Sequence, residues 1–128
     1  MADILVLIGL WSTAIGAVSG FAVTLMVEKP DALAKVGVQH PRRVLQLHLD
    51  WVIMGVLMVA VGAVGHDSPA WSLVLVAIGG IINPVLFAPL AFRAEIQQNL
   101  LYKAVSGLSF VALSLGLVVV AVAQTAAH

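Results

Sequence analysis

Four long apolar stretches constrain this chain more than any other feature. A spanning helix needs about 20 predominantly apolar residues. The runs from about Ile4 to Val27, from Pro41 or Val44 to Gly65, from Ala70 to Phe92 and from Leu100 to Ala123 all meet that length. Inside a bilayer no water satisfies backbone N–H and C=O groups, so such runs must be helical. Composition agrees: 62% of the 128 residues are hydrophobic and 9% are charged, against roughly 25% charged in soluble domains. The expected fold is all-α, a single four-helix membrane domain over residues 1–128. Short loops make consecutive helices antiparallel neighbours, which predicts an up-down-up-down bundle. The start Met1-Ala2-Asp3-Ile4 carries an acid where a signal peptide has basic residues, so the first run reads as a retained helix.

Charge placement predicts orientation. All six basic residues fall on one side: Lys29, Lys35, Arg42 and Arg43 around the first loop, Arg93 and Lys103 around the third. The positive-inside rule then puts loops 1–2 and 3–4 in the cytoplasm and both termini outside a bacterial cytoplasmic membrane. The formal net charge is zero, which argues against a nucleic-acid partner. Cysteine is absent, which excludes thiol redox chemistry, disulfides, thiolate haem ligation and iron–sulfur clusters. The histidines lack zinc-site spacing, and no phosphate loop or Ser/His/Asp constellation is present. Tyr102 and Trp71 sit near span ends, as interfacial anchors do.

Helix 1 carries a stripe of small residues on one face: Gly9, Ser12, Thr13, Gly16, Ser19, Gly20 and Thr24. Gly16 and Gly20 form a small-xxx-small pair that lets backbones approach closely. The stripe reads first as a packing surface, and a homo-oligomer is the expectation for so thin a bundle.

Ionisable residues inside a span are costly to keep and so are functional candidates. Two qualify, His48 and Asp50 in Leu47-His48-Leu49-Asp50-Trp51. Two residues apart on a helix is about 200° of rotation, so they point to different faces. His48 shares its face with Trp51, Val52, Gly55, Val59 and Gly62. Gly55 would leave a flat gap beside the imidazole, as a planar macrocycle requires. Apolar walls, a neutral imidazole as axial ligand and no cysteine for covalent attachment suit haem b. Arg42, Arg43 and Lys103 lie near the same boundary, where they could meet propionates. The bland alternative is a packing histidine hydrogen-bonded to a neighbouring helix. Asp50 shares its face with Arg43, Met54 and Leu57; it reads as an ion pair with Arg43 or another basic residue, or else as a proton or cation site.

Asn83-Pro84 interrupts helix 3. Pro84 removes one intrahelical hydrogen bond and frees the Gly80 carbonyl, and broken membrane helices of this kind line protein interiors or cavities. Gly79, Gly80, Asn83 and Phe87 recur at near-helical spacing, either as a small polar notch roofed by an aromatic ring or as a structural kink in which Asn83 satisfies the freed backbone.

These residues resemble a known family. His48 early in helix 2, Gly55, and the stretch Gly79-Gly80-Ile81-Ile82-Asn83-Pro84-Val85-Leu86-Phe87 are similar to the styrene oxide isomerases, small four-helix bacterial membrane proteins that bind haem b. Those enzymes rearrange an epoxide to an aldehyde, with ferric haem as Lewis acid, and assemble as trimers with haem between subunits. The resemblance covers about a third of the chain. It implies that His48 is the axial ligand, that Asn83 and Phe87 occupy catalytic positions, and that the substrate is small and apolar. Two departures stand out: Met54 where the family has asparagine, and Phe87 where it has tyrosine. A second reading, from a different class, is a small oligomeric transport or accessory protein without a cofactor, with Asp50 as its working charge. Small multidrug exporters have this helix count, but their essential acid lies in helix 1, which here has none between Asp3 and Glu28.

Overall fold

The computed structural model describes every residue from Met1 to His128. The chain is all-helical, with α1 over Ala2–Glu28, a short α2 over Pro30–Lys35, α3 over Pro41–Val64, α4 over Ala70–Val85, α5 over Phe87–Phe92 and α6 over Leu100–Ala127. Four segments are long and apolar enough to cross a membrane: Ala2–Glu28, Pro41–Asp67, Ala70–Phe92 and Leu100–Ala127. The expected boundaries hold to within a few residues, and the last helix runs four residues further than the apolar pattern indicated.

Local chemistry sets the ends. Pro41 is the first residue of α3, where its missing N–H costs nothing. Asn99 caps α6, its side chain accepting from the Leu101 N–H at 2.8 Å. A 3-10 turn over Gly65–Asp67 closes α3, and a second over Ala94–Gln98 leads into α6. The third span breaks at Leu86, between Pro84 and Pro89, so that α4 and α5 are two pieces of one crossing. The Tyr102 hydroxyl donates to the Leu86 carbonyl at 2.8 Å and so satisfies an acceptor at the break. Tyr102 is thereby a strut across the interruption as well as an aromatic near a span end.

Two helix pairs form the frame. α1 and α3 run antiparallel in close contact along their length: Gly62 meets Ala2 and Val6, Gly55 meets Gly9 and Thr13, Val52 meets Gly16, and His48 meets Gly20. α4 and α6 repeat the device, with Gly79 against Ser109 and Leu113, and Gly116 against Ser72 and Val76. Without a hydrophobic driving force between helices in lipid, close backbone approach at small residues supplies the attraction. The stripe of helix 1 is therefore used within the chain. The pairs meet where α3 packs on α4 and α5. Their shared core holds Leu5, Met58, Leu73, Val76 and Leu113. Only 26 of 128 residues are buried, while Trp11 is 72% and Phe21 75% exposed. An exterior this apolar belongs to lipid or to another protein.

The segment between α1 and α3, the longest polar stretch of the chain, is tied down. Gly37, at φ 91°, turns the chain after α2. Leu33 and Val38 are buried with Val44 and Ala91. The Gln39 and His40 amides both donate to the Ala91 carbonyl at 2.9 Å. These bonds dock the first loop on the end of α5, which gathers the basic loops at one end of the molecule.

Candidate functional site

α3 carries two chemical faces, and the expected site residues divide between them. His48 and Gly55 point to α1. Arg43, Asn83 and Phe87 meet elsewhere, in a chamber on the opposite side of α3.

The imidazole of His48 lies against the α1 backbone. Its Nδ1 is 2.7 Å from the Gly16 carbonyl oxygen. A carbonyl can only accept, so the proton is assigned to Nδ1 and the neutral ring keeps its lone pair on Nε2. Ser19 braces the same point: its hydroxyl donates to the Gly16 carbonyl at 2.6 Å and stands 3.1 Å from Nδ1. Gly20 makes room for the ring, since a Cβ there would lie 3.2 Å from Cε1. Nε2 has no hydrogen-bond partner and is not sealed from the surface. A metal-binding histidine is held in this way, one nitrogen anchored to a carbonyl and the other free to bind. The partners Gly16 and Ser19 were visible in the sequence only as packing residues. The signal that could have found them is the small-residue stripe of helix 1, read as a set of exposed carbonyls facing the histidine.

The expected gap beside Gly55 is filled. A Cβ at Gly55 would lie 2.6 Å from the Thr13 amide nitrogen and 2.9 Å from the Gly9 carbonyl oxygen. The glycine accommodates α1, because that helix needs the same face of α3 that a macrocycle would use. Gly79 and Gly80 are likewise closed, by Leu113 and by Met58. Apolar concave surface near His48 lies to its side. Trp51, one turn along α3, joins Trp11, Ile15 and Ile81 around a groove of about 320 Å³.

The chamber has a volume of about 390 Å³ and lies between α3, the α4–α5 break and α6. Asn83 lines it; its Oδ1 accepts from the Ser109 hydroxyl at 2.7 Å, which leaves the amide N–H groups uncommitted. Phe87 begins α5 just past the break and forms part of the wall. Arg43 sits at the loop end, donating to Gln46 at 2.7 Å and to Gln97 at 3.3 Å. Five residues along a helix is about 140° of rotation, which turns Arg43 away from His48. The expected Asp50–Arg43 ion pair does not form: the guanidinium is held by the two glutamines, and Asp50 faces the chamber with no protein donor.

No family model, curated protein or solved structure matches this chain. The chemistry of the site therefore rests on its own residues. No three His, Cys, Asp or Glu side chains gather into a metal-binding cluster. A haem iron does not require one, because the macrocycle supplies four ligands and the protein one or two.

Proposed function

We propose that the protein is a haem b-binding membrane protein in which His48 supplies the axial nitrogen. The observation that carries this reading is the 2.7 Å contact from Nδ1 to the Gly16 carbonyl, which leaves Nε2 without a protein partner. One imidazole, apolar surroundings and no thiolate suit the group; α1 fills the Gly55 face, so the macrocycle would have to stand outside that seam. Bound there, ferric haem would supply a Lewis acid able to polarise an epoxide oxygen, and the reaction proposed is isomerisation of small apolar epoxides to aldehydes.

The chain's own residues would divide the work. Gly16 and Ser19 hold the imidazole in one tautomer and one orientation. The groove beside Trp51 is apolar enough to receive a substrate from lipid. Asn83 and Phe87 lie across α3 from His48 in the same chain. A site that used all three would need two copies side by side, which supports a homo-oligomer, with the trimer as the form the family resemblance implies. We further propose that the four helices cross the bacterial cytoplasmic membrane up-down-up-down, with both termini outside. The support is the gathering of all six basic residues at the end that holds loops 1–2 and 3–4.

The test is an absorption spectrum of protein purified in mild detergent from haem-supplemented cells. The expected result is a Soret band that is lost in His48→Ala, followed by conversion of a styrene-type epoxide to its aldehyde. A featureless spectrum from well-folded helical protein overturns the reading.

A further inference from the structure

Within one chain the chamber lies across α3 from His48, and its walls have a chemistry of their own. We propose that it is a binding site for a small organic cation with an apolar body, with Asp50 as the counter-charge.

The first argument is the state of Asp50. It is the one acid lining the chamber, it has no hydrogen-bond donor from the protein, and its oxygens are not sealed in. A carboxylate within a span is expensive to keep and is normally paired. Here the nearest basic residue on the same face, Arg43, stands seven residues away, about 10 Å along the helix axis. Its guanidinium is committed to Gln46 and Gln97. The position that a cation would neutralise is therefore open, and it opens into a cavity and not into packed side chains.

The second argument is what else the chamber presents. The Tyr102 hydroxyl proton is used by the Leu86 carbonyl, and the Asn83 carbonyl oxygen is used by Ser109. Asp50 is left as the strong free acceptor. Around it stand Met54, Phe87 and Phe110, soft and aromatic groups that favour a cation with an organic shell. A volume of about 390 Å³ falls within the ordinary range for small-molecule pockets.

Other occupants fit less well. A hard inorganic cation wants about six or more oxygen ligands, and no cluster of three candidate ligands exists. An anion could use the remaining N–H groups of Arg43 but would share the chamber with the Asp50 carboxylate. An ammonium group on an aromatic or aliphatic body needs one counter-charge and apolar contact, which is what these walls offer.

The test uses the full chain in detergent micelles and three probes of nearly one shape: phenethylamine, phenethyl alcohol and phenylacetate. Equilibrium dialysis or calorimetry should show the protonated amine binding about tenfold or more tightly than the neutral alcohol, with phenylacetate weakest. Asp50→Asn should remove the preference for the amine, while His48→Ala should keep it, so that this site and the haem reading succeed or fail separately. Equal binding of amine and alcohol, tighter binding of phenylacetate, no measurable amine binding, or an Asp50→Asn protein that prefers the amine as before would each overturn the proposal. Selectivity among the three probes on the unmodified chain decides the matter even if Asp50→Asn does not fold.

Discussion

The two faces of α3 make the informative comparison. Toward α1, Gly55 and Gly62 let two backbones come so close that no Cβ fits, and the one ionisable group on that seam, His48, is pinned to a carbonyl. Toward α5 and α6, the same helix faces a span broken at Leu86, and a chamber remains with an unpaired carboxylate in its wall. Small residues opposite a straight helix give contact. A broken helix opposite the same element cannot follow it, and space results. One helix thus supplies a rigid mount for an imidazole on one side and a cavity on the other.

The largest expected effect breaks the closed face. Gly55→Leu would drive a side chain into the Thr13 amide and the Gly9 carbonyl. It should cost about 3 kcal/mol or more, at the upper end for overpacking. Ser106→Leu puts similar bulk into the open chamber and should change stability by about 0.5 kcal/mol or less. Thermal unfolding of the purified proteins, followed by circular dichroism, reads both. Equal losses would mean that the two faces are packed alike.

Next, the faces should separate spectroscopically. His48→Ala should remove the whole Soret band, and Asp50→Asn should leave it, since nothing on the chamber side touches the imidazole. A band that falls with Asp50→Asn would show that the faces are coupled.

A finer probe is Gly20→Ala. The added methyl would stand 3.2 Å from His48 Cε1, so the ring must shift by a few tenths of an ångström. The fold should survive at a cost of about 1 kcal/mol, with a weakened or displaced Soret band. Full haem occupancy with an unchanged spectrum would show that the ring orientation set by α1 is not needed.

The smallest effects lie on the chamber's own struts. Ser109→Ala removes the donor to Asn83, and Tyr102→Phe the donor to Leu86. Interhelical hydrogen bonds in membrane proteins average about 0.6 kcal/mol, so each should lower the unfolding midpoint slightly. Tyr102→Phe should also loosen the break, seen as faster amide exchange at Leu90 and Ala91. A loss several times larger for either variant would mean that the chamber is held by these bonds and not by the break at Leu86.

Much of the architecture was legible in advance because bilayer physics leaves few choices. Four apolar runs must be four helices, and Pro84 predicts a bend in the third. The candidate site was only partly legible. His48 and Asp50 stood out as ionisable groups in a span, and their separation onto different faces followed from helical rotation alone. Helical spacing also linked Asn83 to Phe87. Their distance from His48 was not legible, because it depends on which neighbour α3 turns toward each helix. Gly55 illustrates the difficulty: a glycine in a span reads equally as room for a cofactor or room for a backbone. Leu33 and Val38 were hidden for a different reason, as two apolar residues in a polar stretch whose burial exists only once α5 ends beside them.

Chain chemistry by itself determined that this protein is helical, that it has four segments able to cross a membrane, and that its basic residues bracket two of the three connections. Those properties depend on the length and solvation of single segments, which need no partner to be evaluated. Tertiary structure decided that α1 fills the Gly55 face, that Gly16 fixes the His48 tautomer, and that Arg43 is taken by glutamines while Asp50 is left to face a chamber. Each of those is a competition between several partners for one position. It is settled by which backbones can approach most closely, a quantity that exists only between helices.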